Sequence, residues 1–98
     1  MLLFEWDPNK AKENLEIHGL SFDEASMAFR DTLSLAIYDP MHSEEEDRFV
    51  LIGNSHQDRL LVVVHNERGD NIRLISAKKA SQEERKQYEE NAKRSRPA

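Results

Sequence analysis

Apolar positions along the first thirty residues follow two periods. Leu2-Leu3-Phe4-Glu5-Trp6 is a short run that predicts a strand. Asp7-Pro8 predicts a helix start, because Asp accepts hydrogen bonds from free amides and Pro suits the first helical position. The helix extends to about His18, where Gly19 supplies the stop. Its apolar face is modest: Ala11, Leu15 and Ile17. Ser21-Phe22-Asp23-Glu24 has the spacing of a capping box, opening a second helix with Phe22, Ala25 and Phe29 on one side. The two helices form a helix–turn–helix-like pair, which is a shape and not evidence of DNA binding.

The remaining pattern is mostly strand. Leu33, Leu35 and Ile37 alternate with Ser34, Ala36 and Tyr38, as in a half-buried strand. Continuous apolar runs within Arg48–Asn54 and Arg59–Asn66 predict central strands covered on both faces. Glu67-Arg68-Gly69-Asp70 predicts a hairpin turn, and residues 71–77 the next strand. Ser81-Gln82-Glu83-Glu84 is a second capping box, opening a helix to about Asn91. That helix is polar, with Ala80, Tyr88 and Ala92 as its apolar anchors, so loose docking is expected. The fold class is α+β, with one domain over residues 1–92 and a frayed basic tail over residues 93–98.

Composition narrows the class. Ninety-eight residues suit one domain with one compact core. The chain has no cysteine, which rules out disulfides and thiolate metal sites. No segment reads as a signal peptide, and no apolar run approaches the roughly 20 residues of a membrane span. A reducing cytoplasm is the expected location, with no membrane partner. Net charge is −5, but residues 1–58 carry 4 Lys/Arg against 13 Asp/Glu, whereas residues 59–98 carry 10 against 6. The acidic total argues against broad attachment to nucleic acid, while the basic C-terminal half can still hold a few phosphates. Glycine is too scarce for a phosphate-cradling loop.

The candidate chemistry lies around Pro40–Arg48. His42, Glu46 and Arg48 combine a histidine, a carboxylate and a guanidinium, a set suited to proton transfer and anion stabilisation; the competing reading is a solvated loop. In that segment Glu44, Glu45 and Asp47 read as solvated filler. Arg73 interrupts an apolar strand, and parity places it with Ile75 and Ala77. It binds a phosphate or forms a structural pair with an acid. Lys78-Lys79 precede the helix capped by Ser81, a junction that suits an anion or simply solvent. Arg85 and Tyr88 share a helix face, where Tyr88 either stacks on a base or anchors the helix. Lys10, Asn14 and His18 form one polar stripe, with a solvent face as the plain reading. Trp6 reads as core or rim packing. No metal-ligand spacing is present, and no cofactor is expected.

Several stretches, taken in order, resemble the BrnT toxin family. They are Phe4-Glu5-Trp6-Asp7-Pro8-Asn9-Lys10-Ala11 with Asn14, and His18-Gly19-Leu20-Ser21-Phe22-Asp23-Glu24-Ala25. Asp39-Pro40-Met41-His42-Ser43, Glu46, Arg48-Phe49 and Ile52-Gly53 continue the likeness. Ile72-Arg73-Leu74-Ile75-Ser76-Ala77-Lys78-Lys79-Ala80, Glu84-Arg85 and Tyr88 complete it. Each motif is weak alone, and their order and spacing are specific together. The resemblance implies a RelE-like fold: a short N-terminal strand, two helices, an antiparallel sheet of about four strands and a C-terminal helix. It implies a ribonuclease toxin of a bacterial type II toxin–antitoxin pair that cleaves RNA without metal. The implied partner is a BrnA-type antitoxin with a ribbon-helix-helix module, through which alone the complex would contact operator DNA. The family usually reads Ile-Ser-Ala-Arg-Lys-Ala, whereas this chain has Lys78 at the first basic position, keeping the charge without the planar fork of arginine.

On this reading Arg48 and Arg73 are phosphate cations, with Lys78 a third. His42 or Glu46 is the acid or base, and Lys10, His18, Arg85 and Tyr88 contact substrate. The alternative is a catalytically weak homologue acting as an antitoxin-binding co-repressor. A stand-alone DNA-binding protein is disfavoured, because Glu13, Glu16, Asp23 and Glu24 of the helix pair would face the phosphates.

Overall fold

The computed structural model of the chain describes residues 2–44 and 46–95. Helix α1 (Pro8–His18) starts where the pattern predicts, with Asp7 accepting from the Asn9 amide at 2.8 Å. Gly19 closes it at φ 67°, a left-handed conformation that glycine adopts without a Cβ penalty. Helix α2 (Phe22–Met27) is short and runs into a 3₁₀ turn, Ala28–Arg30. Ser21 accepts from the Glu24 amide at 3.0 Å, but Glu24 does not return the bond. Its carboxylate is buried and receives Arg59 Nε at 2.8 Å, a second Arg59 nitrogen, and Ser55 Oγ at 2.7 Å. The expected capping box is thus half formed, because a buried carboxylate gains more from a guanidinium than from one amide. The Arg59 hydrogen bond outweighs burial and holds the Glu24 carboxyl below its ordinary pKa.

Five strands build one sheet: β1 (Leu3–Glu5), β2 (Leu35–Tyr38), β3 (Asp47–Asn54), β4 (Leu60–Arg68) and β5 (Asn71–Lys79). Their spatial order is β1-β5-β4-β3-β2. The apolar runs predicted as central strands are β3 and β4, and β4 lies in the middle. The short N-terminal strand joins the four antiparallel ones by pairing parallel to β5, with Leu3 opposite Asn71 and Glu5 opposite Arg73. Gly69, at φ 61°, turns β4 into β5.

One face of the sheet packs Leu51, Leu61, Val63, Ile72, Leu74 and Ala77 against Leu20, Phe22, Ala25 and Ala28. The other packs Ile52, Leu60 and Val62 against Tyr88 of helix α3 (Gln82–Ser95). Ser81 and Glu84 form the full reciprocal capping box, at 2.9 and 3.2 Å. The helix passes the expected end near Asn91, and Lys93 and Arg94 occupy its last turn, where cations stabilise the carbonyl end. Lys93–Ser95 are therefore helical rather than frayed tail; residues 96–98 lie outside the described residues, as does Glu45. Nor is α3 held loosely. The Tyr88 hydroxyl donates to Asp31 Oδ2 at 2.7 Å and accepts from Asn54 Nδ2 at 3.2 Å. Burial alone would raise the Asp31 carboxyl, but bonds from the Asn54 amide, the Tyr88 hydroxyl and the Leu33 amide hold it below its ordinary range. Burial and the Asp31 charge push the Tyr88 hydroxyl up to about 12.

The pairing of β4 with β5 slips at Val64/His65: Val64 faces Ser76 and His65 faces Leu74, so Ile75 is the extra residue. This slip corrects the parity expectation for Arg73. Ala77 and Leu74 both enter the helical face of the core, and Arg73 points to the other side. Asn14 is likewise not a solvent-stripe residue. It is 5% exposed, donates to the Leu20 carbonyl at 3.0 Å and accepts from the Ala77 amide at 2.9 Å. β1 reaches only as far as Arg73 along β5, and beyond that point Asn14 meets the free strand edge. Among the described residues no helix is long and apolar enough to cross a membrane.

Two predictions follow from these contacts. Tyr88→Phe keeps the ring but withdraws a donor from the Asp31 carboxylate, so urea unfolding should show a loss of about 1.5–3 kcal/mol. His65 is fully buried between Phe29 and Phe49, with ring centroids at 4.8 and 5.8 Å, and burial pushes its imidazole from 6.5 down to about 4. Between those values the unfolded chain binds more protons, so this contribution is complete above pH 6.5 and fades as pH falls toward 4. His65→Phe, which keeps an aromatic ring in the slot, should flatten the drop in urea midpoint over that window.

Candidate active site

Sheet register gathers the candidate site. Arg48 on β3 faces Asn66 on β4, Asn66 faces Arg73 on β5, and Glu5 on β1 faces Arg73. Facing positions project to the same side of a sheet with Cβ atoms about 4.5–5.5 Å apart, so these four side chains form one polar row. Asn66 separates the two guanidiniums and accepts from Arg48 Nε at 3.4 Å. Arg73 lies between two carboxylates, with Glu5 at 3.6 Å and Glu46 at 3.8 Å. Both distances exceed a good charge-assisted hydrogen bond, and the arginine is half exposed, so its planar fork remains open to an anion.

The segment before β3 closes over this row through its own backbone. A 3₁₀ turn, Pro40–His42, follows β2. The Asp39 amide donates to the Arg48 carbonyl at 2.8 Å, Ser43 Oγ donates to the Asp39 carbonyl at 2.6 Å, and the Arg48 amide donates to Ser43 Oγ at 2.8 Å. Proline and the small hydroxyl thus give the loop a defined return. His42 Nδ1 meets Asp39 Oδ2 at 2.8 Å. A carboxylate there keeps the proton on Nδ1 of the neutral ring and leaves Nε2 with the lone pair.

Two adjoining cavities share Arg48, Asn66 and Arg73. One, of about 450 Å³, extends toward Glu5, Trp6, Asp7 and Lys10. The other, of about 440 Å³, extends toward Met41, His42, Glu44 and Glu46. The structure therefore brings His42, Glu46, Arg48, Arg73 and Lys10 to one groove. Glu44, read as filler, lines it as well, while Asp47 lies within 3.5 Å of the Tyr38 hydroxyl. His18 lies one recess away, in a space of about 140 Å³ that it shares with Lys10. Lys78, Arg85 and Tyr88 line neither cavity. Lys78 meets Glu84 at 3.2 Å, Arg85 is exposed on α3, and Tyr88 is buried on Asp31, which removes its ring from any base.

Sequence reasoning missed Asp39, Asn66, Glu5 and the groove-lining role of Trp6. Asp39 stands three residues before His42 in a Pro-directed turn, a signal that was there to be found. Asn66 and Glu5 reach the site only through strand register, which no local pattern encodes. Chemically, the row can hold a phosphate between two guanidiniums. The Asp39–His42 pair can move a proton, and Glu46 adds a second carboxylate. Among the described residues no group of three or more His, Cys, Asp or Glu side chains is gathered for a metal ion.

Comparison with solved structures shows a similar fold in the crystal structure of the Brucella abortus ribonuclease toxin, BrnT. The TM-score is 0.61 and the identity 24%, over 84% of this chain and 100% of that one. Comparison with curated proteins gives no match. The family profile described as "Ribonuclease toxin, BrnT, of type II toxin-antitoxin system" matches residues 6–84, a span that includes every residue of the groove except Glu5. The chain belongs to the BrnT family of type II toxin–antitoxin ribonuclease toxins.

Proposed function

We propose that the Arg48–Asn66–Arg73 row is the phosphate-binding floor of a metal-independent endoribonuclease. The reaction is attack of a ribose 2′-hydroxyl on the adjacent phosphorus, which forms a 2′,3′-cyclic phosphate and expels the 5′-oxygen. Arg48 and Arg73 stabilise the added charge on the phosphoryl oxygens. His42, oriented by Asp39, and Glu46 face the groove from the same loop; one removes the 2′-hydroxyl proton and the other protonates the leaving oxygen. Lys10 approaches from α1 and neutralises a flanking phosphate. The observation that carries this reading is two arginines in register across one face, opening onto a groove that His42 and Glu46 also line. Lys78, which meets Glu84, has no part in this reading of the reaction, nor have His18, Arg85 and Tyr88.

The chain acts as one toxin domain in the cytoplasm, with helix α3 part of it through Ser95. A BrnA-type antitoxin neutralises it and supplies the ribbon-helix-helix module that contacts operator DNA. A second reading, an antitoxin-binding co-repressor with little nuclease activity, draws on one observation: Glu5 and Glu46 flank Arg73. Antitoxin binding without RNA cleavage would select it.

The deciding measurement is cleavage of RNA in EDTA by chain freed of antitoxin. Arg48→Ala and Arg73→Ala should each lose about 10²-fold or more in rate while keeping the parent's circular dichroism. Folded variants that both cut at the parental rate would disprove the proposed floor.

A further inference from the structure

The cavity of about 450 Å³ is lined by two chemically different sets of groups. Lys10, Arg48 and Arg73 are cations suited to phosphate, whereas Trp6 and the carboxylates of Glu5 and Asp7 are not. Its volume falls within the about 300–1,000 Å³ of small-molecule sites. Trp6 is half-buried, and Phe22 meets its ring edge-to-face with centroids 5.8 Å apart, which sets the plane of the indole. Asp7 uses Oδ1 on the Asn9 amide, and among the described residues Oδ2 takes no hydrogen bond. Glu5 Oε1 lies 3.6 Å from Arg73 Nε, beyond a good charge-assisted hydrogen bond.

The geometry points to a nucleobase subsite in this cavity, with the base stacked on Trp6 and its amino edge turned toward Asp7 and Glu5, an assignment that rests on the nuclease reading above. The aromatic that contacts RNA is then Trp6, since Tyr88 is sequestered on Asp31. Stacking on an aromatic face tolerates any base. The carboxylates add discrimination, because they accept hydrogen bonds and offer none. Guanine presents N1–H and its 2-amino group, adenine its 6-amino group and cytosine its 4-amino group. Uracil presents one N–H between two carbonyl oxygens, which face the carboxylates unfavourably. The subsite therefore takes an amino-bearing base beside the scissile phosphate and disfavours uracil.

Trp6 is the single tryptophan of the chain, so its emission reports on one residue that lines this cavity and, on its other side, the recess formed with Leu15 and Phe22. Four 2′-O-methyl homopentamers, of A, C, G and U, cannot be cleaved because the attacking hydroxyl is blocked. Titrated in EDTA, the A, C and G pentamers should quench Trp6 emission saturably, and the U pentamer should bind and quench least. Trp6→Leu should weaken binding by calorimetry about 10-fold, the effect of losing one stacked base. Asp7→Asn keeps an equally good helix cap but replaces one of the two carboxylates with an amide, and it should reduce the disadvantage of the U pentamer. Pentamers that bind by calorimetry without changing Trp6 emission would overturn the subsite while leaving the phosphate floor intact. Unchanged base discrimination in Asp7→Asn would overturn the role of the carboxylate. Absence of any RNA binding by the parent would remove the nuclease reading and this subsite together.

Discussion

Much in this protein depends on the one-residue slip between β4 and β5. Residues 73 and 77 have the same parity, yet Ala77 belongs to the core under the helices and Arg73 belongs to the groove. Both are satisfied because Ile75 is inserted between them without a partner on β4. A strand without the slip would send the two residues to the same face, and burial of an unpaired guanidinium is costly. Asn14 secures the shifted segment by accepting the Ala77 amide while donating to the Leu20 carbonyl. One buried side chain from α1 therefore ties together the strand edge, the α1–α2 turn and the phase that delivers Arg73 to Asn66 and Arg48.

Polar interactions divide along the strands. At the end where Asn54 faces Leu60, Glu24 is held by Arg59 and Ser55, and Asp31 is held by Tyr88, Asn54 and Leu33. These are short, partly or fully buried bonds that fasten α2 and α3 to the sheet. At the opposite end, where Arg48 faces Asn66, the Arg48–Asn66 bond and the ion pairs of Arg73 are longer and partly exposed. Charges at that end are matched well enough to be tolerated and loosely enough to be exchanged for a ligand's. The net charge of −5 does not contradict a phosphate site, because the local row is set by register rather than by the chain total.

The acidic residues around the groove then have two different roles. Asp39 orients His42, and Glu46 is close enough to both Arg73 and the cavity to share in proton transfer or to moderate the cation. Glu5 and Asp7 sit at the other end with Trp6, in the cavity for which a base subsite is proposed. An antitoxin neutralising such a site must meet a mixed surface rather than a uniformly basic one.

Local physics was legible in the chain itself. Asp7-Pro8, Gly19 and Ser81–Glu84 set helix ends through hydrogen bonds that span a few residues, and alternating or continuous apolar runs set the strands. His42, Glu46 and Arg48 could be nominated because they are near one another along the backbone. Tertiary structure alone decided the rest. The Ser21–Glu24 box was half right because Glu24 finds Arg59 thirty-five residues away. Tyr88 and Asn14 became buried anchors because distant Asp31 and Ala77 supply their partners. Arg73 entered the groove, and Lys78 stayed out of it, because a strand's facing depends on its neighbour's register and on bulges. That information resides in pairings between distant segments, where a shift of one residue reverses which side chains meet.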